Sequence, residues 1–261
     1  MATAGAIEVD PALRRRLSKL TGATGSPEVD KHGVQFTRNA RDYKAGQAIA
    51  FEGEEVASVL CVLDGWISLS KTLEDGERQI IDFGLPGDIV TAVAADGTTS
   101  CLEVDALTDV TVAALSHADW ERRQSASPEL REMADHLAAA SHARLSERML
   151  RLGKGSAPVR IAYALLELCV RLRSIGQTQD HTFHLPLTQQ HLGEFTGLSS
   201  VHVCRTLRRL SRQQIIQTED HLDIKIIDLA ALSGIAGIGP DRLQAEIVPA
   251  PMPTILAPGN G

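Results

Sequence analysis

Arg205, Arg208, Arg209 and Arg212 place four guanidinium groups within eight residues, beside Ser199, Ser200 and the thiol of Cys204. A guanidinium holds its donors in a rigid planar fork, which matches phosphate oxygens or the O6 and N7 edge of guanine. The spacing sorts these groups onto one surface of a helix. Val203, Leu207 and Leu210 recur on one face, and Ser200, Val201, Cys204, Arg205 and Arg208 fall opposite. Arg205 suits a two-pronged contact to guanine, Ser200 can donate or accept, and Val201 offers a surface for the thymine methyl. His202 lies in the same first turn, and Arg208, Arg209 and Arg212 extend a basic strip towards the phosphate backbone.

The elements that must position this face are legible on either side of it. Ser199 is a helix N-cap, and Leu198 and Val203 stand at the two positions of a hydrophobic staple. Upstream, Thr188 caps a shorter helix whose first turn holds Gln189 and Gln190, with Leu192 as its apolar residue; its N–H groups can hold a phosphate. Thr196-Gly197-Leu198 is the turn between the two helices. One helix braces while the other is presented, an arrangement suited to the major groove of duplex DNA. A compact three-helix unit with surface arginines that binds another protein is the plainer alternative. Two short strands follow, Ile215–Thr218 and Leu222–Ile227, as the hairpin of a winged helix; the tip Glu219-Asp220 is acidic and Lys225 is the wing's cation.

The remainder of the 261 residues constrains the setting. A net charge of −7 provides no global basic field, so DNA affinity must come from this local patch. From Tyr43 to Leu115 short apolar runs alternate with Gly- and Asp-bearing turns: Ile49–Phe51, Val59–Leu63, Trp66–Leu69, Gln79–Phe83, Ile89–Val93, Cys101–Leu107 and Val110–Leu115. Such spacing indicates an antiparallel barrel or roll. Ser127-Pro128 starts a helix of about 24 residues, roughly 36 Å long, whose incomplete apolar stripe (Leu130, Met133, Leu137, Leu145, Met149, Leu152) calls for a partner helix. Val159–Ser174 reads as an amphipathic helix with Ile161, Leu165, Leu168 and Leu172 inward. The fold class is therefore α+β. Its expected parts are a leader (1–33, with the amphipathic piece Pro11–Leu20), a β-roll (34–126), a dimerisation helix (127–152), a linker (153–157), a winged helix (158–230) and a tail of little fixed structure (231–261).

Several chemistries lack their residues. Cys61, Cys101, Cys169 and Cys204 have no metal-ligand spacing, and Tyr43–Leu115 contains no His-x-His for a cupin-type metal enzyme, so no enzyme activity, cofactor or metal site is expected. Cys61, Cys101 and Cys169 sit in apolar runs as core thiols. Cys204 reads either as a small side chain fitting a groove or as a redox switch whose oxidation would oppose phosphate. The nine histidines form no site motif: His181 and His184 share a loop, and His136 and His142 face differently. No apolar run approaches membrane-spanning length and no signal-peptide pattern is visible, so no membrane contact and a cytoplasmic location are expected.

From Tyr43 to Asp228 the chain resembles the Crp/Fnr family of bacterial transcription factors. YKAGQAIAFEGE (43–54), VLDGWISLSK (62–71), DGERQIIDFGLPGD (75–88) and ALTDVTVAAL (106–115) are similar to the family's β-roll. RLSERMLRL (144–152) is similar to the end of its dimer helix, and PVRIAYALLEL (158–168) with the helix pair to its DNA-binding domain. The resemblance implies a homodimer on a palindromic site that contacts RNA polymerase. Nucleotide-binding members carry Gly-Glu and Arg-Ser or Arg-Thr where this chain has Thr91-Ala92 and about Ser100-Cys101, leaving no cation for a cyclic phosphate. Cluster-bearing oxygen sensors use N-terminal cysteines, and none precedes Cys61. Many members have Glu at the position of Val201 and Ser or Gly at that of Cys204, so a different half-site is expected. A roll that binds haem or another non-nucleotide effector is the alternative.

Overall fold

The computed structural model describes residues 40–55, 58–95, 97–219 and 222–249. The expected leader, Asp220 of the hairpin tip and the end of the tail (250–261) lie outside these residues. In chain order the strands of the first half are β1 (Ala40–Tyr43), β2 (Ala48–Ala50), β3 (Ser58–Asp64), β4 (Ile67–Thr72), β5 (Arg78–Gly84), β6 (Ile89–Thr91), β7 (Glu103–Ala106) and β8 (Val110–Ser116). Helices α1 (His117–Ala126), α2 (Pro128–Lys154) and α3 (Ala157–Ile175) follow. The last part runs β9 (Thr182–His184), α4 (Gln189–Thr196), α5 (Ser200–Arg212), β10 (Ile216–Glu219), β11 (Asp223–Ile226), α6 (Leu229–Ala236) and α7 (Pro240–Ile247).

Packing divides the described chain into two compact units, one formed by residues 40–67 and 84–137, the other by Ser68–Phe83 and Ala138–Val248. The first contains the antiparallel sheet β1-β8-β3-β6 and the pair β2–β7. Alternation puts Val59, Cys61, Leu63, Ala113 and Leu115 on one face of the sheet, where they pack with Trp120, Leu130 and Met133 of α1 and the start of α2. Two elements here were not expected. Strand β1, ARDY, has no apolar run and is held as an edge by β8, from Ala40 opposite Ala113 to Tyr43 opposite Val110. Helix α1 has one buried anchor, Trp120, and a good cap: the Ser116 hydroxyl accepts from the Asp119 N–H at 3.0 Å.

In the second unit β4 and β5 form a hairpin, closed where the Leu73 N–H donates to the Glu77 carbonyl at 2.9 Å. Helix α3 is its core. Every residue from Ile161 to Leu172 is buried, including Glu167 and Arg171, so the helix is enclosed and not amphipathic as expected. Helices α4 to α7 all pack on it.

Two other expectations are corrected. The linker 153–157 is largely helical: α2 runs through Lys154 and α3 begins at Ala157, leaving Gly155 and Ser156 between them. Part of the expected loose tail folds as α6 and α7, because Leu232, Ala236, Leu243 and Ile247 bury against the unit. Their ends are well specified. Asp228 caps α6 through the Ala231 N–H at 2.8 Å, Gly237 closes it in the left-handed conformation, and Pro240 opens α7.

Candidate nucleic-acid interface

The helix pair forms as its residue types dictate. The Thr188 hydroxyl accepts from the His191 N–H at 3.1 Å, and the Thr188 N–H donates to His191 Nδ1 at 3.3 Å. This is a reciprocal capping box with histidine in the role usually taken by Glu or Gln. Helix α4 stops at Gly197, whose φ of 62° favours glycine. Helix α5 starts from Ser199, whose hydroxyl accepts from the His202 N–H at 3.4 Å and lies 2.9 Å from His202 Nδ1.

The two faces of α5 separate cleanly. Val203, Thr206, Leu207 and Leu210 are buried. Ser200, Val201, His202, Arg205, Arg208, Arg209 and Arg212 are exposed, Val201 at 54%, while Cys204 is half-buried between them. Thr188 and Gln189 are exposed at the start of α4. Every DNA-facing residue expected from the sequence thus lies on one of two helix starts or on the outer face of α5. An exposed aliphatic surface flanked by guanidinium groups suits a groove that shows both methyl groups and acceptors. Behind the pair, β10-β11-β9 make a three-stranded wing, with Ile216 opposite Ile226 and Ile224 opposite Phe183. Its third strand was missed because Thr182–His184 is too short to show a period. The wing is acidic: Asp223 pairs with His184 at 2.5 Å beside exposed Glu219, and Lys225 is exposed.

His191 was not singled out from sequence, since the usual box signal is Glu or Gln. Burial lowers its pKa and Arg78 acts the same way, while Glu194 opposes them. Its cap needs an unprotonated Nδ1. A folded-state pKa below the usual histidine value means that His191 contributes fully above the unfolded pKa and loses that contribution as pH falls towards the folded one. His191→Gln keeps an acceptor without a titration. Its melting temperature relative to wild type should therefore rise as pH is taken from about 8 to 5.5. A constant difference across that range would refute the titrating cap.

The other cysteines are placed as their surroundings require. Cys61 and Cys169 are buried and Cys101 half-buried. Burial pushes the Cys169 thiol up to about 11, with Arg173 opposing. Among the described residues no group of three or more His, Cys, Asp or Glu could hold a metal, and no helix is long and apolar enough to cross a membrane.

A capped helix pair, a basic outer helix face and a β-wing define a winged-helix DNA-binding protein. Residues 159–235 match the Crp-like helix-turn-helix domain and residues 40–125 the cyclic nucleotide-binding domain. The chain is 31% identical over 205 residues to the transcriptional activator protein FnrL of Cereibacter sphaeroides, covering 76% of this chain and 80% of that protein. It is 30% identical over 194 residues to the nitrogen fixation regulation protein FixK of Bradyrhizobium diazoefficiens, covering 74% and 80%. The solved structure of FixK2 from Bradyrhizobium japonicum matches with a TM-score of 0.68 at 26% identity, covering 75% of this chain and 96% of that one. The chain belongs to the Crp/Fnr family of transcription regulators and is a dimeric DNA-binding regulator.

Proposed function

We propose that the protein activates transcription from promoters with a palindromic site, as a homodimer clasped by α2, in the cytoplasm and in contact with RNA polymerase. The observation that carries this reading is the division of α5 into a buried apolar face and an exposed basic one. Arg205 reads a guanine, Ser200 and Val201 read neighbouring bases, and Cys204 fits the groove beside them. Thr188, Gln189, Ser199, His202, Arg208 and Arg209 fix the register on the backbone. Two such helices, related by a two-fold axis, enter successive major grooves about 34 Å apart. Leu145 and Met149, one helical turn apart on α2 and exposed at 39% and 74%, supply apolar surface for the partner helix. The name of FnrL, a transcriptional activator protein, supports the direction of control.

Cyclic nucleotide does not gate this protein on our reading. Residues 84–105 contain no Lys or Arg to meet a buried phosphate. Ser100, near the position where relatives of the nucleotide-binding type have Arg-Ser, is buried and donates to the Leu102 carbonyl at 2.6 Å. Selection of bound fragments from random DNA tests the operator assignment; recovery of no inverted repeat would overturn it. Within that assay Arg208→Ala should weaken all sequences alike and reduce the slope of log affinity against log salt by about one. A loss confined to one base position would reassign Arg208 to base reading.

A further inference from the structure

Three guanidinium groups converge on one carboxylate inside the second unit. Asp82, on β5, lies 3.1 Å from Arg144 Nη2, 2.9 Å from Arg148 Nη2 and 3.0 Å from Arg171 Nη1. Glu167, fully buried on α3, lies 3.1 Å from Arg148 Nε and 3.7 Å from Arg171 Nη1, within charge range. Two of the arginines also donate to the β5 backbone, Arg148 to the Ile81 carbonyl and Arg171 to the Phe83 carbonyl at 2.6 Å. Burial opposes ionisation of Asp82, but Arg148, Arg144 and Arg171 outweigh it and hold the carboxyl well below the usual range. Glu167 is pushed up by burial, against Arg148 and Arg171. With both carboxylates ionised, three cations face two anions. Removing Asp82 would leave the buried guanidinium groups of Arg148 and Arg171 facing the single carboxylate of Glu167, and would take away the carboxylate that part-buried Arg144 meets.

The same hairpin also grips the end of α4. The Gln79 amide donates to the Glu194 carbonyl and to the Phe195 carbonyl at 3.4 Å, groups that the last helical turn leaves without helical partners. The Phe83 and Phe195 rings lie 4.7 Å apart, and the Arg148 guanidinium sits 4.8 Å over the Phe195 ring. Arg78 reaches Glu194 at 3.5 Å. Residues from α2, α3, α4 and the hairpin therefore meet at Asp82 and Phe195, whereas the covalent connection from α2 to α3 is only Gly155 and Ser156.

We propose that the β4–β5 hairpin, keyed by Asp82, is a brace that fixes the pose of the DNA-reading helix pair on α2, so that the dimer accepts one half-site spacing. This rests on the dimeric, palindromic reading above. Asp82 touches no DNA and is a positioning residue. The brace converts two independently oriented heads into a rigid pair, and rigidity is what makes affinity depend on spacing.

The test uses full-length protein and three duplexes: the selected palindrome, the same site with one base pair inserted at its centre, and a single half-site. Wild type should bind the palindrome far more tightly than the lengthened site. Asp82→Asn should narrow that preference by roughly tenfold or more, chiefly through weaker palindrome binding, with half-site affinity unchanged. Gln79→Ala, which deletes the hydrogen bonds to α4 and the local one to the Ile80 carbonyl while leaving the buried charges in place, should narrow it several-fold. Asp82→Glu, which retains the charge, should restore part of it. Should Asp82→Asn fail to fold, Gln79→Ala decides alone. Undiminished spacing preference in a folded variant, or equal losses on half-site and palindrome, would overturn the brace. A wild type that does not distinguish palindrome from half-site would instead bring down the dimeric reading, and the brace with it.

Discussion

Gly193→Ala is expected to destabilise the second unit by about 1–3 kcal/mol, the usual cost of forcing a methyl group into filled space, and to lower operator affinity further. Helix propensity alone predicts the opposite, since alanine is favoured over glycine in a helix by about 1 kcal/mol. The surroundings decide the sign. A Cβ on Gly193 would lie 2.4 Å from the Leu198 carbonyl oxygen, which is backbone and has no rotamer to change. The turn itself is pinned, because the Leu198 N–H donates to the Gly193 carbonyl at 2.9 Å. Relief must therefore move Ser199, and with it the cap and direction of α5. Urea unfolding and operator titration check both parts; a variant matching wild type in each would refute the close-approach role.

Arg205→Ala is expected to cost about 1–3 kcal/mol of specific binding, roughly a five- to 150-fold loss, with discrimination at one base position relaxed. Stability should not change, because Arg205 is exposed and lies outside the buried face of α5. Arg205→Lys separates fork from charge. A two-pronged contact should lose most of its discrimination in Lys as well, while a phosphate contact should survive. Affinity measured on the operator and on single-base variants distinguishes these outcomes. Unaltered base preference in Arg205→Ala would exclude the residue from reading sequence.

The helix pair was the most legible part of the chain because its determinants are local. Thr188, Gly197 and Ser199 act within a few residues of where they stand, and the burial of Val203, Leu207 and Leu210 follows from helical spacing. What the sequence hid depends on distant residues. Glu167 and Arg171 look like the outer face of an amphipathic α3, and only Asp82 and Arg148, far away in the chain, explain why they are inside. Similarly, Ser68 and Ser70 in β4 are fully buried polar residues, with Arg78 donating to their hydroxyls at 3.3 and 3.0 Å. The helical tail was a different failure. Asp228, Gly237 and Pro240 are ordinary cap signals, but the Gly, Pro and Ala content around them outweighed the four apolar anchors.

The clean division of α5 has a bearing on how such a regulator changes its set of genes. Half-buried Cys204 aside, the positions that hold the helix in place and those proposed to choose a sequence share no side chain, so an exchange at exposed Ser200, Val201 or Arg205 leaves the buried face of α5 untouched. On the proposed reading address and scaffold vary independently: a few outward replacements would redirect copies of this chain to new promoters without loss of foldability.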